Sequence, residues 1–216
     1  MTSMSSHLSG TGDDPGVRND PGGRAVLFPR LLRWVLGVCG VIGLIAAFTL
    51  TVEKFELATD PDYTPTCSLN PIVNCGSIMD TPQAAVFGFP NSLLGIAGFT
   101  AVLAIAVLLT PATPAWIWIS TQVGLSAAVV FVHWLIVQSL YEIGALCPYC
   151  MAVWIVVVVA FWYVTLRNLD QMIVRGRARR LVDAAISVHS VVPVVWVLTI
   201  LTLIIIEFWW YWSTLG

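Results

Sequence analysis

Residues 146–166 read LCPYCMAVWIVVVVAFWYVTL. The stretch holds no charged side chain and is long enough to cross the hydrocarbon core of a bilayer as a helix. Helix is required there, because lipid offers backbone N–H and C=O groups no other partner. Four more stretches read the same way: 34–52, 86–109, 115–140 (broken only by Gln122, His133 and Gln138) and 191–212, which carries Glu207. Composition agrees, with 58% hydrophobic and 10% charged residues, where a soluble domain carries about 25% charged. The fold class expected is all-α integral membrane, with five transmembrane helices. A net charge of −2 and few Lys or Arg exclude a nucleic-acid partner, which needs a basic footprint.

Basic residues orient the spans. Arg18, Arg24, Arg30 and Arg33 precede the first, and Arg167, Arg175, Arg177, Arg179 and Arg180 lie between the fourth and fifth. Five spans place both groups on one side, and only Lys54, of ten basic residues, falls on the other. The N-terminus is therefore expected in the cytoplasm, and the C-terminus outside an inner or plasma membrane. Residues 1–29, opened by a Gly/Pro/Asp/Ser-rich stretch, are expected to be a disordered tail, and 30–216 the membrane domain. Nothing near the start reads as a cleavable signal. The Trp209-Trp210-Tyr211-Trp212 cluster suits an interfacial aromatic belt.

The outer side then holds a long segment, Glu53 to Ala85, and a short turn near Tyr141 to Ala145. The long segment carries Glu53, Glu56, Asp60, Asp62 and Asp80, with Pro61, Pro65, Pro71 and Pro82; a connection of that length is usually functional. Four of five cysteines fall on this side. Cys67 and Cys75 lie in the long segment, and Cys147 and Cys150 form C-P-Y-C at the head of the fourth span. Pro148 suits the first position of a helix, which puts Cys147 at or near its N-cap, where the helix N-terminus stabilises a thiolate. A redox relay is the leading reading of these cysteines. Inert disulfides and a four-cysteine zinc site are the bland alternatives, in which the chain is a membrane scaffold rather than an enzyme. Cys39, beside Gly37, Gly40 and Gly43, reads as a small packing residue.

The ordered set of Cys67 and Cys75, then Phe87-Gly88-Phe89-Pro90, then Cys147-Pro148-Tyr149-Cys150 resembles the vitamin K epoxide reductase family, bacterial branch, over about Val35 to Leu166. The resemblance implies a four-helix bundle around a quinone (menaquinone or ubiquinone), an outer loop with a short horizontal helix, and a fifth helix outside the bundle. It implies an enzyme that reoxidises an extracytoplasmic thioredoxin-fold thiol oxidant of the DsbA type and passes the electrons to membrane quinone. By position, Cys67 and Cys75 are the shuttle pair, Cys75 exchanges with Cys147, and Cys150 faces the quinone ring. Relatives fused to a thioredoxin-like domain carry it after the last helix; a chain stopping at Gly216 is expected to use a separate partner.

Three positions depart from animal relatives. Trp154 stands where they have a Tyr that contacts the quinone, Ala84 where they have an Asn, and of a downstream hydroxyl pair (Asp80, Thr81) only Thr81 keeps its hydroxyl. With Phe87, these give Phe87, Trp154, Ala84 and Thr81 as the candidate quinone contacts, and they favour quinone reduction over epoxide chemistry. Oxidases of the DsbB type do similar chemistry with the C-x-x-C before the loop pair, the reverse of the order here. A carrier moving thiol electrons inward would want cysteines reachable from the cytoplasm, and these four are not. His133, deep in the third span, is either functional or a neutral tie to a neighbouring helix. Glu142 reads either as an aid to proton transfer or, the leading reading, as a solvated interfacial acid, and Glu207 as one that snorkels towards water.

Overall fold

The computed structural model describes residues 21–60, 62–108, 110, 113–173 and 176–213, with the backbone alone for 21–29 and Trp212. The elements are α1 (Pro21–Thr59), α2 (Cys75–Met79), a 3-10 turn (Pro82–Ala85), α3 (Asn91–Leu108), α4 (Ala115–Val137) continued by a π turn (Gln138–Ile143), α5 (Pro148–Met172), α6 (Arg177–Ser187), α7 (Val191–Glu207) and α8 (Trp209–Trp212). No strand occurs among the described residues, only one isolated bridge between Val73 and Leu146. Among the described residues, four helices are long and apolar enough to cross a membrane: Arg30–Thr59, Asn91–Leu108, Ala115–Ile143 and Pro148–Met172. A fifth is added if α6 and α7, bent by 63° at their junction, form one broken span. The protein is an all-α integral membrane protein.

Several boundaries differ from the hydropathy reading, each for a local reason. α1 runs on to Thr59, so Glu53–Thr59 are helical rather than loop; no Pro or Gly lies between Glu53 and Pro61. α3 begins at Asn91, not residue 86, because Gly88 takes a positive φ of 82° and Pro90 lacks the N–H that a helix interior needs. α4 continues through its π turn to Gly144, whose φ of 67° ends it. α5 reaches Met172, past Leu166, and carries Arg167 with it; that guanidinium lies 4.0 Å over the Trp118 ring. α6 was hidden in a polar stretch. It is held by Arg179, whose Nη2 lies 2.9 Å from both Asp170 and Asp183. Of the expected tail, residues 1–20 lie outside the described residues. Residues 21–29 are the first turns of α1 in backbone, and Pro21 suits a first turn whose N–H has no helical acceptor.

α1 packs on α3 and α5, and α4 packs on α5, whereas α3 and α4 have no extensive contact with each other. The four form an open bundle with a seam between α3 and α4. Small residues set the close approach of α1 to α3. A Cβ on Gly40 would sit 3.1 Å from the Leu103 Cβ, and one on Gly43 would fall on the Phe99 ring. Cys39 is buried in the same core, as a packing residue should be.

α7 lies outside this bundle and is tied to it by polar groups. His133 Nδ1 lies 2.8 Å from the Val129 carbonyl oxygen, and its Nε2 accepts from Trp196 Nε1 at 3.0 Å. A carbonyl only accepts and an indole N–H only donates, so the ring is the neutral Nδ1–H tautomer. His133 is a tie between α4 and α7. Trp162 Nε1 donates to the His189 carbonyl at 2.7 Å and secures the start of α7 to α5.

Gly43→Val is expected to force Phe99 out of place and to cost about 1–3 kcal/mol, read as a lower apparent midpoint of thermal unfolding in detergent. Gly37→Ala, where a Cβ meets nothing within 4 Å, is expected to leave that midpoint unchanged.

Candidate active site

Two backbone hydrogen bonds assemble the site. Asn70 first turns the loop, its Oδ1 accepting from the N–H groups of Ile72 at 3.0 Å and Val73 at 2.7 Å. The straightened chain then pairs with the turn before α5: Leu146 N–H donates to the Ile72 carbonyl at 2.7 Å, and Asn74 N–H to the Leu146 carbonyl at 3.0 Å. Ile72 plugs the core beneath, 1% exposed. Each partner of this bridge leads straight into a helix start. Asn74 caps α2 by accepting from Ser77 N–H at 3.2 Å, which makes Cys75 the first residue of α2. Cys147 caps α5 through its sulfur, which accepts from Cys150 N–H at 3.5 Å. The N-cap place expected from Pro148 is the place observed.

The sulfurs then meet. Cys67 and Cys75 form a disulfide, and Cys147 Sγ lies 3.0 Å from Cys75 Sγ. Cys147 and Cys150 are free thiols. Cys75 and Cys147 are both fully buried, in a cluster with Met79 and Cys67. Cys147 precedes the membrane-spanning part of α5, and the hydrogen bond from the Cys150 side chain holds its thiol below the ordinary cysteine value, against burial. The sulfurs of Cys67, Cys75 and Cys147 lie within 4.8 Å of one another. Cys150 is not in that group, and the disulfide removes two thiolates from any ligand set. A four-cysteine metal site is therefore not assembled in this redox state.

A residue of the acidic outer segment that the sequence reading gave no role completes the cluster. Glu53, on the last turns of α1, is 3% exposed. Its Oε1 accepts from Thr66 N–H at 3.2 Å and from the Thr66 hydroxyl, and its Oε2 lies 3.3 Å from Cys67 Sγ. Spacing alone carried no signal for this. Glu142 is exposed, and Asp80 turns outward to Lys54 at 3.7 Å.

On the other side of C-P-Y-C, a cavity of about 890 Å³ opens between α1, α3, α4 and α5. Cys150 stands in its wall. Thr81, Ala84, Phe87 and Trp154, the four positions that the resemblance singled out, all line it. The lining is otherwise mostly aliphatic and aromatic. Its polar groups include Gln83, Asn91 and Gln138, which sequence reading missed. Gln83 Nε2 donates to Gln138 Oε1 at 3.1 Å, and Asn91 Nδ2 donates to the Gln83 carbonyl at 2.7 Å. The amide expected to be missing because of Ala84 thus has near neighbours that supply amides to the same cavity.

A family model described as the Vitamin K epoxide reductase family matches residues 34–165. That range holds every cysteine and every cavity residue just named. The chain belongs to this family. No curated protein matches it. As a member of the vitamin K epoxide reductase family, it is a multi-pass membrane enzyme of the thiol–disulfide oxidoreductase type, in a family that works with a thiol-redox partner and quinone.

The bond from Cys150 gives a pH test. Because it stabilises the Cys147 thiolate, Cys150→Ala is expected to move upward, relative to wild type, the pH at which the thiolate ultraviolet absorbance of Cys147 half-develops, with Cys147→Ser as the blank that lacks this thiolate. A midpoint that stays in place, or falls, contradicts the arrangement.

Proposed function

We infer that the enzyme is a quinone-dependent thiol oxidase that reoxidises an extracytoplasmic thioredoxin-fold protein of the DsbA type and so supports disulfide formation. The observation that carries this reading is the unbroken sulfur line from loop to cavity: the Cys67–Cys75 disulfide, Cys147 at 3.0 Å from Cys75, and Cys150 in the cavity wall. Cys67 and Cys75 exchange with the partner, Cys75 with Cys147, and Cys150 faces the acceptor. Thiol–disulfide exchange needs one sulfur brought onto another, and the bridge at Leu146 does that. Arg30, Arg33, Arg167, Arg177, Arg179 and Arg180 favour the cytoplasmic side for the opposite end of the bundle, which leaves the cysteines facing an oxidising compartment of an inner or plasma membrane.

The cavity suits a quinone, menaquinone or ubiquinone. Its apolar walls accept a lipid-soluble ring, and the amides of Gln83, Asn91 and Gln138 keep N–H groups for two carbonyl oxygens, whereas the Thr81 hydroxyl donates to the Ile78 carbonyl. Phe87, Ala84 and Trp154 shape the wall beside Cys150. The seam between α3 and α4 gives a lipid-borne molecule a sideways path. A bound quinone supplies a two-electron, two-proton acceptor. The chain's own part is to hold a thiol pair against it in a dry site and to keep the water-soluble partner on the other side of C-P-Y-C. Residues 30–216 form this membrane domain, with 1–29 as a cytoplasmic extension.

Purified protein given a reduced thioredoxin-fold donor under anaerobic conditions is expected to reduce a short-chain quinone. Cys150→Ser is expected to abolish that reduction and to leave exchange between the donor and Cys67–Cys75 in place. Full turnover by Cys150→Ser overturns the path, and no quinone reduction by wild type turns the reading towards a scaffold with structural disulfides.

A further inference from the structure

Glu53 is buried beside the reacting sulfurs, yet the sulfur line just described makes no use of it. A carboxylate is expensive to bury unless its oxygens are satisfied. Here one oxygen is: Oε1 takes both the N–H and the hydroxyl of Thr66. Among the described residues, no cation pairs with Glu53. Lys54, its neighbour in sequence, reaches instead for the Met79 carbonyl at 2.6 Å and for Asp80. That leaves Oε2 aimed at Cys67 Sγ at 3.3 Å. In a disulfide this sulfur has no proton to share, so the contact becomes a hydrogen bond only when the Cys67–Cys75 bond is broken. A fixed, dry carboxylate whose free oxygen can accept a hydrogen bond from a sulfur solely in its reduced state is placed to handle that sulfur's proton.

We propose that Glu53 is the general base and acid of Cys67, taking its proton as the sulfur attacks Cys75 and returning it when Cys67 is displaced. This rests on the proposed exchange between the two cysteine pairs. In the forward step, the Cys67 thiol meets the Cys75–Cys147 disulfide. The Cys67–Cys75 bond forms, the Cys75–Cys147 bond breaks, and Cys147 leaves as the thiolate that Cys150 stabilises. The proton from Cys67 ends on Glu53 Oε2. Electrons balance, because one disulfide and one thiol give one disulfide and one thiolate. In the reverse step, Cys147 attacks Cys75 across the 3.0 Å gap and Glu53 protonates the departing Cys67. Thr66 acts by holding the carboxylate in place, which makes it a positioning residue.

Other ionisable groups near Glu53 include Tyr63 and Cys67 in the loop, Glu56 one turn on along α1, and Cys147 at the head of α5; Tyr149, near Tyr63, belongs to the same neighbourhood. Among these, Oε2 of Glu53 is the oxygen within hydrogen-bond reach of Cys67, at 3.3 Å.

The test follows closure of the loop pair in the full-length protein by acid quench and mass-tag alkylation across pH, after reduction by a small dithiol, its removal, and addition of a short-chain quinone in excess as the oxidant that regenerates the Cys147–Cys150 disulfide. Wild type is expected to close at a rate nearly flat from neutral to mildly alkaline pH. Glu53→Gln keeps the shape and the acceptor for Thr66 but cannot take a proton. It is expected to slow closure on the order of 100-fold at neutral pH, with a rate that then climbs about tenfold per pH unit as Cys67 ionises unaided. Thr66→Val, which keeps the carboxylate, is expected to keep the flat profile. A wild-type profile in Glu53→Gln, or a loss equal at every pH, overturns the proposal. If Glu53→Gln does not accumulate folded, Glu53→Asp carries the test: its withdrawn carboxylate is expected to slow closure about tenfold with the profile shape retained, and a wild-type rate overturns the proposal. A wild-type protein whose loop pair never closes through Cys147, judged with Cys147→Ser as reference, refutes the exchange reading itself rather than the role of Glu53.

Discussion

The pair of backbone hydrogen bonds joining Ile72 and Asn74 to Leu146 is the constraint on which the chemistry depends. A loop rich in Pro, Asn and Asp has few apolar groups with which to dock, so its position has to come from its backbone. The bridge supplies that, and it fixes register as well. Asn74 and Cys147 each cap a helix one residue beyond the bridge partners, so the first residue of α2 and the cap of α5 face each other. A slip of one residue would turn Cys75 away and put Ile72 into solvent. The same bonds satisfy peptide groups that would otherwise be buried without partners.

Two environments meet at this junction. On one side lie the loop, the disulfide and a carboxylate held by Thr66; on the other lies an apolar cavity with Cys150 in its wall. Burial matters to both. A dry setting strengthens the bond from Cys150 to Cys147 and the contact between Glu53 and Cys67, since little water competes with either. The open seam between α3 and α4 comes from a different cause. α1 carries the small residues that let α3 close on it, so α3 is drawn to α1 and away from α4.

His133 shows how a polar residue inside a span can be settled by its partners alone. Its two ring nitrogens face one acceptor and one donor, which leaves no role for a charge there. Glu53 is the opposite case. Read by composition it belongs to an acidic outer segment, and only the extra turns of α1 carry it into the cysteine cluster.

The amino-acid sequence by itself determined the all-helical membrane class, the cores of the main spans, the N-cap place of Cys147 and the cysteines worth watching. These are local properties: the length of an apolar run, a Pro after a Cys, two thiols one helical turn apart. The ordered motifs also pointed to the family that the match over residues 34–165 establishes. Tertiary structure alone decided that α1 reaches Thr59, that Phe87–Pro90 turn rather than span, and that α6 exists beside Asp170. It also decided that Gln83, Asn91 and Gln138 share a cavity with Cys150, and that Glu53 touches Cys67. Each of those depends on groups far apart in the chain. Hydropathy and spacing describe what a segment can bury, whereas a contact depends on which distant segment arrives to bury it.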